Sequence, residues 1–284
     1  MPAPDGRCTG YDREGLHFDV RDEGPPGGDP VVLLHGFPQD AGTWDRVVPR
    51  LHDAGLRTLA PDQRGYSPRA RPRSRAAYRM SALADDVVEL LDVNELEHAH
   101  VVGHDWGGAV GWDLAGRFPD RVRSLTVLST PHPAAMVSSM ASSSQALMSW
   151  YMGAFQLPLL PELALGGTVG ALLRRSGLPP GDAERYRRRM SEPGALSAAL
   201  GWYRAIPFSI GSSAPACRVP TTYVWGRHDV ALGRRAAELT ERHVDAPYRF
   251  VELDAGHWLP ELAHREVASA VLDRVSPGPV ARPC

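Results

Sequence analysis

Lysine is absent: every one of the 31 basic residues in this 284-residue chain is arginine. Set against 33 acidic residues they leave a formal charge of -2, which excludes the basic footprint that nucleic acid or an anionic membrane surface demands. Ala, Gly, Pro and Arg are abundant together, so the arginine excess reads as GC-rich coding bias and not as a phosphate-binding device. Cysteine is scarce too. Cys8, Cys217 and Cys284 are odd in number, far apart and without metal-ligand spacing, which excludes a disulfide framework and a zinc site. No window approaches the ~20 apolar residues of a membrane span, and Met1 to Gly10 lacks the apolar core of a secretory signal. The expectation is a soluble, cytoplasmic protein with small-molecule partners, no metal and no cofactor. Nothing in the sequence speaks to oligomeric state.

What is present suits one large core: 43% of the residues are hydrophobic. Short β-rich runs are predicted at Val31 to Leu34, Leu56 to Ala60, Ala99 to Val102 and Leu125 to Leu128, with an amphipathic helix at Met80 to Leu91. Leu16 to Val20 adds an antiparallel edge strand. This alternation predicts an α/β fold with a mostly parallel sheet and helices on both faces. From about Pro133 the pattern breaks. Ala, Leu, Met, Arg and Ser dominate, punctuated by Pro158, Pro161, Gly177, Pro179, Pro180, Pro193 and Gly194, so short helices are expected. Alternation resumes with a strand at Thr221 to Trp225, a helix at Ala236 to His243, a strand at Tyr248 to Leu253 and a helix at Val267 to Val275. The implied organisation is a core of residues 1–132 and 216–284 interrupted by a helical cap, 133–215. The proline-rich end, Ser276 to Cys284, is expected to fray.

The segment Gly103-His104-Asp105-Trp106-Gly107-Gly108 follows an apolar strand and opens a helical pattern. This is the Gly-x-nucleophile-x-Gly pattern of a sharp strand-to-helix elbow, with aspartate at the nucleophile position. The glycines stand where a side chain would collide, and the central residue is pushed into a cleft. A carboxylate that attacks carbon makes an ester of the enzyme itself, which only an activated water then releases. The substrate must therefore carry an electrophilic carbon, as an epoxide or an alkyl halide does. A bare match is also what an acidic residue in a glycine-rich turn looks like, so its surroundings decide.

In an open α/β sheet, ligands bind beyond the carboxyl ends of the strands. Those ends carry His35-Gly36-Phe37-Pro38, Asp62-Gln63-Arg64-Gly65, the elbow, Trp225-Gly226-Arg227-His228-Asp229 and Asp254-Ala255-Gly256-His257-Trp258. His257 is the best base, because imidazole accepts a proton near neutrality and a carboxylate partner fixes its tautomer. Asp229 suits that partner role, with Asp254 and Asp120 as competitors. His35 and His104 read as turn histidines bonded to backbone, and Asp62 and Arg64 as braces of their own loop.

These motifs resemble the α/β-hydrolase fold family and, within it, the epoxide hydrolases, over essentially the whole chain apart from its termini. The fold's order of nucleophile, acid and histidine is met by Asp105, Asp229 and His257. The resemblance implies that Asp105 attacks the epoxide carbon and that His257, held by Asp229, activates the water. It also implies an oxyanion hole from the backbone N–H groups of Phe37 and Trp106. The cap segments Trp150-Tyr151-Met152-Gly153-Ala154-Phe155-Gln156 and Gly201-Trp202-Tyr203-Arg204 resemble those that carry two ring-polarising tyrosines, which assigns that role to Tyr151 and Tyr203. Tyr186 has no such match and reads as a surface or packing residue. Phe37, Trp106, Met152, Phe155, Trp202 and Trp258 are expected to line an apolar pocket, hence a small hydrophobic epoxide with water as co-substrate.

Haloalkane dehalogenases share the aspartate elbow but resemble this chain less at Phe37, where they carry a halide-binding asparagine, and need no paired tyrosines. Fluoroacetate dehalogenases share His-Gly-Phe-Pro yet hold their substrate with arginines near the nucleophile, where this chain has Trp106 and Ala109. An ester hydrolase would carry serine at the elbow. A non-catalytic ligand cage would be expected to have lost one of Asp105, Asp229 or His257.

Overall fold

The computed structural model describes residues 6–143, 145–209 and 215–275. Eight strands form one sheet: β1 (Gly10–Arg13), β2 (Leu16–Glu23), β3 (Asp29–Leu34), β4 (Leu56–Pro61), β5 (Ala99–His104), β6 (Val122–Leu128), β7 (Thr221–Gly226) and β8 (Tyr248–Leu253). Their spatial order is β1-β2-β4-β3-β5-β6-β7-β8. From β4 to β8 every neighbouring pair is parallel, and β1 and β2 run antiparallel at one margin. The expected edge strand at Leu16 is antiparallel but not at the edge, because β1 lies outside it. Glu14 and Gly15, at φ 52° and 75°, make a two-residue hairpin turn that brings Arg13 opposite Leu16.

Alternation along the strands explains the two faces. Val32 and Leu34 of β3 pack with Val101, Val110, Trp112 and Leu125 on the side of helices Met80–Val93 and Trp106–Arg117. Val31 and Leu33 point the other way, to Leu51, Val102, Val267 and Val271 on the side of helices Val48–Asp53 and His264–Val275. A strand buried on both faces reads as a continuous apolar run, as β3 does. The resumed pattern follows the sequence closely, except that Ala236 to His243 divides into an α-helix, Arg234–Leu239, and a 3-10 turn, Thr240–His243.

Between β6 and β7 the described residues form helices and no strand. Three of these helices, Pro133–Ser142, Leu160–Gly166 and Pro180–Met190, carry proline in their first turn, where the missing N–H costs nothing. The helical segment is tied to the core by charge and by hydrogen bonds. Arg46 meets Asp182 at 2.9 Å, Arg189 meets Asp62 at 2.7 Å, and the Trp202 indole donates to the Arg64 carbonyl at 2.7 Å. Asp62 and Arg64 therefore brace more than their own loop, since Arg64 also pairs with Asp86 on helix Met80–Val93 at 2.7 Å. Residues 276–284, with Cys284 and the tail expected to fray, lie outside the described residues.

Candidate active site

Asp105 stands between β5 and helix Trp106–Arg117 at φ 50°, ψ -122°, a conformation that L-residues rarely adopt. The elbow is held because the glycines around it let backbone touch backbone. A Cβ on Gly107 would lie 2.2 Å from the Leu34 carbonyl oxygen, and one on Gly103 would lie 2.3 Å from that of Gly107. The Phe37 N–H donates to Asp105 Oδ1 at 2.8 Å. Trp106 opens the helix, where an N–H has no partner within the helix itself.

The other oxygen, Oδ2, faces His257 Nε2 at 3.7 Å. On the far side of the ring, Nδ1 meets Asp229 Oδ2 at 2.8 Å. Asp229 is fully enclosed, and its Oδ1 accepts from the N–H groups of Ala231 (2.8 Å) and Leu232 (3.0 Å). Those donors replace the water that burial removes and fix the carboxylate toward the imidazole. Asp254 is exposed and engaged with Arg227 and His228, both at 2.8 Å, so it is not the partner of His257. Asp120 sits in the turn Pro119–Arg121 before β6. Burial pulls the His257 imidazole down, but the charge and hydrogen bond of Asp229, then the charge of Asp105, outweigh it and push it up to about 9.

Tyr151 and Tyr203 come from different helices, Trp150–Ala154 and Ala195–Arg204, and their ring centroids lie 6.1 Å apart. Burial raises both phenols above the ordinary tyrosine range. For Tyr151 the Asp105 charge adds to it, and for Tyr203 first Tyr151 and then Asp105 do. Both are thus held as neutral O–H donors. Tyr203 also packs edge-on against Phe37, Trp106 and Phe155.

A cavity of about 260 Å³ opens over Asp105 and His257. Phe37, Phe155 and Trp258 line it together with Tyr151 and Tyr203, whereas Trp106, Met152 and Trp202 do not. Trp106 is wedged between Trp202 and Tyr203, Trp202 is spent on Tyr66 and the Arg64 carbonyl, and Met152 packs against the core. The wall that the sequence did not single out is aliphatic: Leu165, Val169, Leu172 and Leu173 from two short helices, and Val230 beside Asp229. Their apolar spacing was visible, but nothing local says which face of a short helix looks inward.

Tyr186 is a packing residue, wholly buried, and its hydroxyl donates to Glu261. His35 bonds backbone on both sides, Nδ1–H donating to the Gly36 carbonyl within its turn and Nε2 accepting from Gln63 N–H in the loop beyond β4. His104 instead reaches outside its turn, to Gln39 and to the His257 main chain. Gln39 and Glu261 escaped the sequence reading altogether. Among the described residues no three His, Cys, Asp or Glu gather as metal ligands, and no helix is long and apolar enough to cross a membrane.

Comparison with known proteins places this geometry in company. A family model for the alpha/beta hydrolase fold matches residues 29–263. The AB hydrolase superfamily protein YfhM of Bacillus subtilis is 36% identical over 263 residues, covering 89% of this chain and 92% of that protein. Epoxide hydrolase A of Mycobacterium tuberculosis is 33% identical over 319 residues, covering 96% of this chain and 98% of its own. Among solved structures, epoxide hydrolase A from Mycobacterium thermoresistibile superposes with a TM-score of 0.83 at 28% identity, over 94% of this chain and 97% of that one.

Proposed function

We propose, from the premise that this chain belongs to the α/β-hydrolase fold family and sits among its epoxide hydrolases, that it adds water to a small hydrophobic epoxide to give a vicinal diol. The observation that carries the reading is an aspartate at the elbow with one oxygen held and the other free, under a pair of buried phenols. Oδ1 is engaged by Phe37 N–H, so Oδ2 is the attacking oxygen. It forms a bond to one ring carbon while the ring C–O bond breaks, and the electron pair left on oxygen takes a proton from Tyr151 or Tyr203. A departing halide needs no such proton, which is why the phenols favour ring opening over dehalogenation.

The second half returns the nucleophile. His257 Nε2 takes a proton from water, and the hydroxide adds to Asp105 Cγ. The resulting oxyanion is stabilised by the N–H groups of Phe37 and Trp106, worth ~3 kcal/mol each in sites of this type. Collapse breaks the ester bond, and the two protons of the water finish on the product alkoxide and the tyrosine. Residues 133–215 act as the cap that supplies both phenols to a core of 1–132 and 216–284. The aliphatic wall supports a hydrophobic substrate, and the scarcity of cysteine supports a reduced, cytoplasmic setting.

The test is to strand the ester. A His257→Gln variant incubated with styrene oxide should gain the full mass of one epoxide, mapped to Asp105. An adduct formed only from haloalkanes, with the halogen lost, would establish dehalogenation instead. Wild-type diol formation with no adduct at Asp105 in the variant would overturn the covalent mechanism.

A further inference from the structure

Glu261 is a buried carboxylate that the reaction above does not use. Its Oε1 accepts three hydrogen bonds, from Gln39 Nε2 (2.8 Å), Thr43 Oγ1 (2.8 Å) and Tyr186 Oη (2.6 Å), while its Oε2 is enclosed with no partner. Taking an ion out of water with half its acceptor capacity unused is costly, and a neutral side chain would be cheaper if shape were all that mattered. What the charge organises is visible in the next bonds. Gln39 spends both amide hydrogens, on Glu261 and on Thr43 Oγ1 at 2.8 Å, so its amide orientation is fixed. Its oxygen then receives Gly36 N–H at 2.9 Å and faces His104 Nδ1 at 2.8 Å.

That orientation dictates a proton on His104 Nδ1. The other ring nitrogen, Nε2, lies 2.9 Å from the carbonyl oxygen of His257, which also accepts from Ser129 Oγ at 2.9 Å. His104 thus presents both nitrogens to acceptors, unlike His35, and an imidazole can satisfy both only with a second proton. Burial, then the neighbouring His257, draws His104 down to about 4, so that second proton is expensive and depends on a nearby anion. The charges of Asp105 and Asp229 act the other way and raise it in part. Glu261 ends the chain of bonds that starts at His104, and it belongs to the groups whose charge raises His257.

We propose that Glu261 is a positioning residue for the catalytic histidine, acting through Gln39 and His104 on the main chain of His257, and that Tyr186 ties the same carboxylate to the cap. The cap and the base are then linked by four side chains: Tyr186 on helix Pro180–Met190, Glu261, Gln39 and His104. Cap position then reaches His257 through these side chains, beside the hydrogen bond that Ser176 of the cap accepts from Trp258, the next residue in the chain, at 3.0 Å. The inference rests on the epoxide hydrolase reading for its kinetic consequence but not for the coupling itself.

The experiment separates the two. Imidazole NMR of uniformly labelled wild type and Glu261→Gln, with no substrate present, follows the His257 titration and the His104 Nδ1–H resonance. The variant keeps the shape and the acceptor oxygen but removes the charge. Expected are a lower titration point for His257 and a displaced His104 Nδ1–H signal. Single turnovers with styrene oxide, run above the His257 titration range, should show breakdown of the Asp105 ester slowed about tenfold through misplacement of the ring and not through its lower titration point, the size of effect that loss of one charged buried partner carries. Ester formation should be nearly unchanged. Tyr186→Phe, which leaves the carboxylate in place, should move both resonances in the same direction by less and serves if the first variant does not fold. Unchanged His257 and His104 signals in both variants would overturn the proposal. Shifted signals in a protein that forms no adduct from epoxides would sustain the coupling and remove the epoxide hydrolase reading alone.

Discussion

At the scale of single residues, His257 poses an apparent contradiction. An imidazole pushed up to about 9 is charged at neutral pH and is no base. Part of that rise comes from the Asp105 carboxylate, and ester formation removes that charge. On the proposed mechanism the base would therefore become available after the nucleophile has reacted, which is the order the chemistry needs. Asp105→Asn imitates the neutralised state, so NMR should show His257 titrating at lower pH in this variant than in wild type; equal titration points would sink the argument. The sign for stability is the reverse of a carboxylate's. The folded value lies above the ordinary 6.5, so the stabilisation is complete below that pH and is lost as pH rises through about 9. The two phenols form a second residue-scale prediction. Tyr151→Phe and Tyr203→Phe should each slow ester formation about tenfold, because one donor remains, and the double variant should lose roughly 10²–10⁴-fold, read as the burst rate in single turnovers. A double variant no worse than either single one would remove the shared role. The sequence reached Asp105, Asp229 and His257 through their places at strand ends, and the structure brings their side chains together. The choice of Asp229 over Asp254 was not local, because it turns on which carboxylate is buried against a ring 28 positions from the former.

At the scale of elements, the strand-to-helix elbow is where sequence constraint is tightest. Gly107 is buried, and any Cβ there would stand 2.2 Å from the Leu34 carbonyl oxygen, backbone that cannot yield without moving β3. Gly181 is also helical, yet a Cβ there meets nothing within 4 Å. Ala at the two positions should thus act oppositely. Gly107→Ala is expected to cost roughly 3 kcal/mol or more or to prevent soluble expression, whereas Gly181→Ala should be neutral or stabilising by about 0.5–1 kcal/mol. Urea melts decide it, and comparable midpoints for the two variants would show that the elbow relaxes. Strand boundaries within the parallel sheet were legible because continuous apolar runs have few other uses. β1 was missed because only its four residues and a two-residue turn announce it. The inward faces of the short helices around the cavity were illegible because each presents apolar residues on more than one side.

At the scale of the whole molecule, fold class could be read from the alternation of strand and helix, and the described helices between β6 and β7 fall where that alternation stops and resumes. How the insertion seats on the core could not, because that seat is made of pairs far apart in the chain: Arg189 with Asp62, Asp182 with Arg46, Trp202 with Arg64. Among these the Arg189–Asp62 pair is the most informative to break. Both side chains are largely withdrawn from solvent, at 18% and 16% exposure, and Asp62 also accepts from Ala41 N–H at 2.9 Å in the loop beyond β3. Exposed ion pairs contribute little, but removing Asp62 takes from this partly buried guanidinium its carboxylate on the core and leaves it Glu192 (2.9 Å) two residues past its own helix and the Tyr66 carbonyl (3.1 Å), at a cost of ~1 kcal/mol. That cost falls on the seam and not on the sheet, whose strands are held by their own ladders and by both apolar layers. Asp62→Ala should therefore accelerate amide exchange in helices Pro180–Met190 and Ala195–Arg204 while leaving β3 and β5 as protected as in wild type. Because the second of those helices carries Tyr203, ester formation should slow along with it, although Asp62 touches no substrate-lining residue's side chain by hydrogen bond or ion pair among the described residues. Exchange that quickens equally in sheet and helices would mean that insertion and core unfold as one unit, and the seam would then have no separate energetic identity.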